Sequence, residues 1–201
     1  MNFIEELDFE KRENRFSYFN TKTDISTLNC LFIMIDIQEK LVNVMNNKDT
    51  LIKNVEILNK SSDILNIPLL FTEQSPEKLG STIVEIGVES SLKRKFIKTR
   101  FSVFTDEISD YIDTLTKPIL VIYGIETHVC VFQSCIDAIK NGFHVIVVVD
   151  AVSSRKEYSK EIALEMLINK GVEVATIEML LFRLLKDASH PSFRDISKLI
   201  K

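Results

Sequence analysis

Three runs constrain this chain more than anything else in it: "LFIMID" at 31–36, "PILVIYG" at 118–124 and "HVIVVVD" at 144–150. Each is apolar on consecutive residues, without the alternation expected of a strand that has one wet face. A strand covered on both sides reads this way, and such strands belong to parallel sheets sandwiched between helices. The stretches between the runs carry a helical period instead. Over 49–66, Leu51, Ile52, Val55, Ile57, Leu58, Ile64 and Leu65 supply an apolar face, with Asp49 or Thr50 as its start. Helices are also predicted over 105–115, 129–140, 154–171 and 178–187, and in the closing "SFRDISKLI". Further strands are predicted at 67–73, at "KFIKT" and at 172–177. Strand and helix alternate at lengths that suit right-handed crossovers, so the expected class is α/β: a mostly parallel sheet with helices on both faces.

With 201 residues the chain can build one sizeable core. Residues 29–201 are expected to be that domain. Residues 1–28, with Phe3, Phe9, Phe16, Tyr18 and Phe19 scattered among charges, read as an N-terminal arm packed on its own domain or on a neighbouring subunit. Pro76, Gly80, Gly87 and several serines mark 75–92 as an irregular excursion. The net charge of −4 argues against a nucleic-acid partner, because phosphate binding needs a concentrated basic face. The one basic cluster, "KRKFIKTR" at 93–100, is broken by Phe96 and Ile97 and reads as a solvated strand edge. Three cysteines in no disulfide-rich spacing, and no apolar run long enough for a signal peptide or a membrane span, predict a cytoplasmic protein with no membrane partner. An organellar compartment stays open.

Ligands of open α/β sheets bind where strands end. Asp36 ends the first strong strand, Lys98 the short basic one and Asp150 the fourth, while Cys130 follows the third across a short turn. Each has a plain structural reading: Asp36 as a helix cap, Lys98 as a surface lysine, Cys130 as a small buried hydrophobe. The chemical reading takes Asp36, Lys98 and Cys130 together. Cys130 falls in the first turn of a predicted helix, where free N–H groups lower a thiol's pKa and can hold an oxyanion. An aspartate in reach would take its proton, and a lysine would orient that aspartate. Metal binding competes through His128, Cys130 and Cys135, but helix positions five apart diverge by roughly 140° at ~100° per residue. Neither CxxC nor HExxH occurs, so no metal is expected. The first-strand turn "DIQEKL" has no glycine, which removes dinucleotide and P-loop fingerprints, and no GxSxG elbow is present.

Taken in order, "MIDIQ", "KTRFSVF" and "GIETHVC" resemble the isochorismatase-like cysteine hydrolases, from about residue 28 to the C-terminus. "FTEQSPEKLGST", "GIETHVCV" and "LKDASHPSFRDISKLIK" resemble the isochorismatase domain-containing proteins in particular. The resemblance implies a three-layer sandwich around a six-stranded parallel sheet, an Asp36–Lys98–Cys130 triad, and a cis peptide between Ile125 and Glu126. That bond would aim the amides of Glu126 and Cys130 as an oxyanion hole. It implies no cofactor, and a dimer or tetramer of identical chains. Two departures narrow it. "FTEQSPEK" replaces the aspartate and histidines that bind metal in nicotinamidases, and Cys130 stands where the isochorismatases that cleave a vinyl ether have no cysteine. The expected function is therefore a metal-independent hydrolase of a small amide-like C–N bond, through a thioester. Gln38, Gln74, Phe101, Ile125 and His128 are the expected pocket wall. The rival readings are a catalytically silent binding or scaffold protein of the same fold, and a thiol peroxidase or redox sensor.

Overall fold

A strand that is apolar on both faces needs a layer on each side of it, and this is what the computed structural model shows for residues 24–116 and 118–201. The sheet has six strands: β1 (Cys30–Ile35), β2 (Leu69–Gln74), β3 (Lys93–Lys98), β4 (Ile119–Ile125), β5 (Val145–Ser153) and β6 (Glu173–Ala175). Their order is β3-β2-β1-β4-β5-β6, and every neighbouring pair is parallel. β1 and β4, at the centre, are buried at every residue. Burying one large apolar side chain stabilises by about 1.5–3 kcal/mol, which is why the most apolar runs take the middle.

Helices α1 (Glu39–Val42), α2 (Lys48–Leu65), α3 (Pro76–Leu79), α4 (Asp106–Asp113), α5 (Phe132–Lys140), α6 (Glu157–Asn169), α7 (Ile177–Leu185) and α8 (Phe193–Leu199) complete the order. α2, α7 and α8 pack together on one face, while α5 and α6 pack together on the other. α2 turns Leu51, Val55 and Leu58 inward, and its buried Asn59 ties the layers by accepting the Tyr123 hydroxyl at 2.7 Å and donating to the Ile86 carbonyl at 2.7 Å.

The chain runs outward one way through β1, β2 and β3, then returns to the centre and runs outward the other way through β4, β5 and β6. The reversal lies between β1 and β4, so the crevice at their carboxyl ends is the favoured ligand site. Gly124 sits there, paired with Ile35 at φ +114°. A Cβ on it would lie 2.2 Å from the Ile35 carbonyl oxygen, so only glycine fits this crossing.

Several expected boundaries move. The fourth strong strand does not end at Asp150: the β4–β5 register slips between Ile122 and Gly124, and β5 resumes to pair Val152 and Ser153 with Gly124 and Ile125. Residues 75–92 contain α3 and a 3₁₀ turn at Val84–Ile86, and α1 follows β1 directly. The predicted arm lies largely at 1–23, outside the described residues, and with it Phe3, Phe9, Phe16, Tyr18 and Phe19. Its described end is attached to the domain, because Ile25 is buried in the core and Asp24 pairs with Lys186 at 2.7 Å.

Candidate active site

Asp36 follows β1, Lys98 closes β3, and Cys130 lies in a π-helical turn, Thr127–Val131, that leads from β4 into α5. The fold brings all three together, each at most 6% exposed. Lys98 Nζ donates to Asp36 Oδ2 at 2.7 Å, and both side chains are wholly buried. The Cys130 thiol lies near enough to the same carboxylate for the two groups to shift each other's proton affinity. Asp36 caps no helix. It adopts φ +51°, a left-handed conformation that a non-glycine residue keeps only where its surroundings enforce it.

Lys98 is not a surface lysine. Besides Asp36, its ammonium faces Gln74 Oε1 at 2.8 Å and the carbonyls of Arg100 and Phe101 at 3.2 Å each. Edge strand β3 is otherwise as wet as expected: Arg94, Lys95 and Ile97 are exposed while Phe96 and Lys98 are buried.

Burial first, and then the Asp36 carboxylate, push the Cys130 thiol up to about 12, with Lys98 opposing. This corrects the expectation of a helix-depressed thiol. The turn is π-helical and Cys130 is buried in it, so desolvation of a thiolate is the largest cause. Burial likewise raises Asp36, against the pull of Lys98, Thr72 and Cys130. Cys30 is pushed up to about 12 and Cys135 is raised too, both by burial alone.

The Ile125–Glu126 peptide is cis. The Glu126 carbonyl accepts the amides of Val129 at 3.0 Å and Val131 at 3.2 Å. The Glu126 carboxylate accepts from the backbone N–H and Nε of Arg155, at 3.2 and 3.1 Å. Ser134, one turn beyond Cys130, donates to the Cys130 carbonyl at 2.6 Å and accepts the Val103 amide at 3.0 Å. It thereby straps the cysteine's helix to the loop that follows Lys98.

The expected pocket wall divides. Phe101 is 51% exposed, with its carbonyl on Lys98. Ile125 is fully buried. Gln74 bridges Lys98 and the Thr99 carbonyl, the latter at 2.6 Å. Gln38 is also fully buried: it donates to the carbonyls of Gln74 and Gly80 and accepts the Gln74 amide. With its amide wholly occupied by backbone, it braces the excursion after β2 instead of offering a polar group to a ligand. His128 contacts Ser154 Oγ at 2.9 Å and lines a separate groove of about 260 Å³ with Phe132, Ser159, Ile162, Ala163 and Met166. None of the triad lines that groove. Asp150 is also elsewhere, because its carboxylate accepts the Ile177 amide at 3.0 Å and caps α7. Among the described residues, no cluster of histidine, cysteine and acidic side chains has the makings of a metal site.

Sequence reasoning missed Thr72. It is fully buried and its hydroxyl donates to Asp36 Oδ1 at 2.7 Å. A polar residue inside the apolar "LLFTE" was the available signal.

The family model for the isochorismatase domain matches residues 30–179. The chain is 35% identical to isochorismatase domain-containing protein 2 of Danio rerio over 177 residues, covering 88% of this chain and 89% of the relative. It is also 35% identical to the secreted isochorismatase effector Isc1 of Phytophthora sojae over 176 residues, 85% of this chain and 84% of the relative. Among solved structures, the MAR1 ribonuclease of Caenorhabditis elegans superposes with a TM-score of 0.83 at 32% identity, covering 88% of this chain and 91% of the other.

Proposed function

Because this chain belongs to the isochorismatase family, whose fold supports a hydrolase, we propose that it is a metal-independent cysteine hydrolase of a small amide-like C–N bond. The observation that carries this reading is the buried 2.7 Å pair of Lys98 and Asp36, beside a buried Cys130 whose proton affinity that pair shifts. Asp36 takes the thiol proton as Sγ attacks the substrate carbonyl carbon. The backbone amides of Glu126 and Cys130 receive the oxyanion, and the proton on Asp36 passes to the leaving amine as the C–N bond breaks. Asp36 then deprotonates a water that attacks the thioester, and the proton returns to Sγ as the acid departs. Lys98 holds Asp36 in place. General acid–base assistance of this kind accelerates by about 10²–10⁴-fold.

Several features support the small-molecule reading. The triad is enclosed, and the net charge of −4 disfavours a phosphate-rich substrate such as nucleic acid. The free state of all three cysteines supports a reducing compartment such as the cytoplasm, although one relative is named as secreted. Tyr158, Ile162 and Met166 form an exposed stripe along α6 that supports self-association into a dimer or tetramer. No helix among the described residues is long and apolar enough to cross a membrane.

A silent binding protein of the same fold is the second reading, favoured by the burial of Cys130 and its raised pKa. A screen on small primary amides separates the two. Turnover by the wild type that falls at least 10³-fold in both Cys130→Ala and Asp36→Asn, with the unfolding midpoint kept, supports the hydrolase. Turnover that survives either substitution sinks it.

A further inference from the structure

Asp36 is held from a neighbouring strand by one residue that touches it twice. The Thr72 carbonyl accepts the Asp36 amide at 3.2 Å, and the Thr72 hydroxyl donates to Asp36 Oδ1 at 2.7 Å. The backbone contact supports a residue that sits at φ +51°. The hydroxyl contact addresses a different freedom, because a carboxylate rotates in a broad, shallow well. Lys98 cannot set that rotation alone: its Nζ is shared among Asp36 Oδ2, Gln74 Oε1 and two carbonyls. With Thr72 on one oxygen and Lys98 on the other, both carboxylate oxygens have a fixed donor inside a dry site.

We propose that Thr72 is a positioning residue for the Asp36 base, its hydroxyl setting the rotation of the carboxylate so that it receives the Cys130 proton. This rests on the reading of Asp36 and Cys130 given above. Thr72 acts only through Asp36, so its loss lowers kcat and leaves KM in place.

The test uses the full chain and iodoacetamide as the probe. The Sγ–C bond forms, iodide leaves and the thiol proton passes to Asp36, with the rate at Cys130 followed by peptide mass spectrometry from pH 5 to 10. Thr72→Val keeps the branched shape and removes the donor. A carboxylate that loses a donor keeps its proton to higher pH. The expected result is an acid limb displaced upward, with alkylation about tenfold slower along that limb, since one unit is tenfold in proton affinity. Thr72→Ser restores the rate to within about threefold and returns the limb. Thr72→Ala reads the same loss of the donor if valine packs poorly, and the unfolding midpoint of each variant reports folding. An unmoved limb in folded Thr72→Val and Thr72→Ala overturns the proposal, and so does a Thr72→Ser as slow as Thr72→Val. Asp36→Asn separates the two claims. If it slows alkylation while Thr72→Val does not, positioning alone is wrong; if it alkylates at the wild-type rate, Asp36 is no base and both readings fall.

Discussion

Two aspartates close apolar runs of the same kind, Asp36 after "LFIMI" and Asp150 after "HVIVVV". Burial raises the proton affinity of both. Asp36 nevertheless faces an ammonium, a hydroxyl and a thiol, whereas Asp150 faces the first amide of α7. Register is what separates them. β1 pairs without interruption up to Ile35, so its next residue emerges into the crevice. β5 bulges before its end, and the displaced Asp150 is turned toward α7. A carboxylate after an apolar run is therefore a candidate whose fate its neighbouring strands decide.

The sharpest break between the two is catalytic. On an amide that the wild type hydrolyses, Asp150→Asn is expected to keep kcat within about twofold while Asp36→Asn loses on the order of 10³-fold, the range of general acid–base assistance. A comparable loss from both would erase the distinction. Stability should separate them next. Lys98→Met strands a buried carboxylate, and breaking a buried pair by removing one partner costs about 3–5 kcal/mol. The uncompensated Asp36 then holds its proton more tightly than in the unfolded chain, so the variant loses stability as pH rises and regains it in acid. Denaturant unfolding at pH 5 and pH 8 measures both effects, and a loss independent of pH would mean that Asp36 is not the stranded group.

Asp150→Ala removes only a helix cap, with an expected cost of about 0.5–2 kcal/mol by the same measurement. The smallest effect is again a pH drift. The folded-state affinity of Asp150 lies above its unfolded value, so its ionisation costs stability as pH rises from about 4, the ordinary carboxylate range. Asp150→Asn cannot ionise and keeps an acceptor for Ile177, so its melting temperature should gain on the wild type between pH 4 and pH 7. A constant difference would mean that the cap is ionised at no cost.

What the sequence made legible follows from the range over which each feature is determined. β1 and β4 are readable because continuous apolarity is a local property with one structural explanation. The strand end at Ser153 is not, since β5 is extended past Asp150 by pairing with Gly124 and Ile125, residues far away in the chain. Four-residue helices such as α1 and α3 leave too short a period to detect. Asp36, Lys98 and Cys130 could be placed at strand ends from topology alone, and the structure gathers them. The proton affinity of Cys130 could not, because it depends on how dry the turn is. Thr72 escaped for a related reason: a threonine in a strand is ordinary until the register shows Ile35 opposite it and Asp36 next in line.

The strand that delivers Lys98 is also the open rim of the sheet, and an open rim invites another chain to add a strand. β3 answers with charge. Lys93 is tied to Asp63 at 2.7 Å, while Arg94 lies over the Tyr111 ring and Lys95 reaches Glu73 at 3.5 Å. An incoming strand would have to approach two exposed cations. The opposite rim, β6, is three residues long and offers little to pair with. The strand whose last residue enters the interior as Lys98 thus also guards the sheet against edge-to-edge aggregation, and substitutions that make "KRK" apolar should show up first as lost solubility.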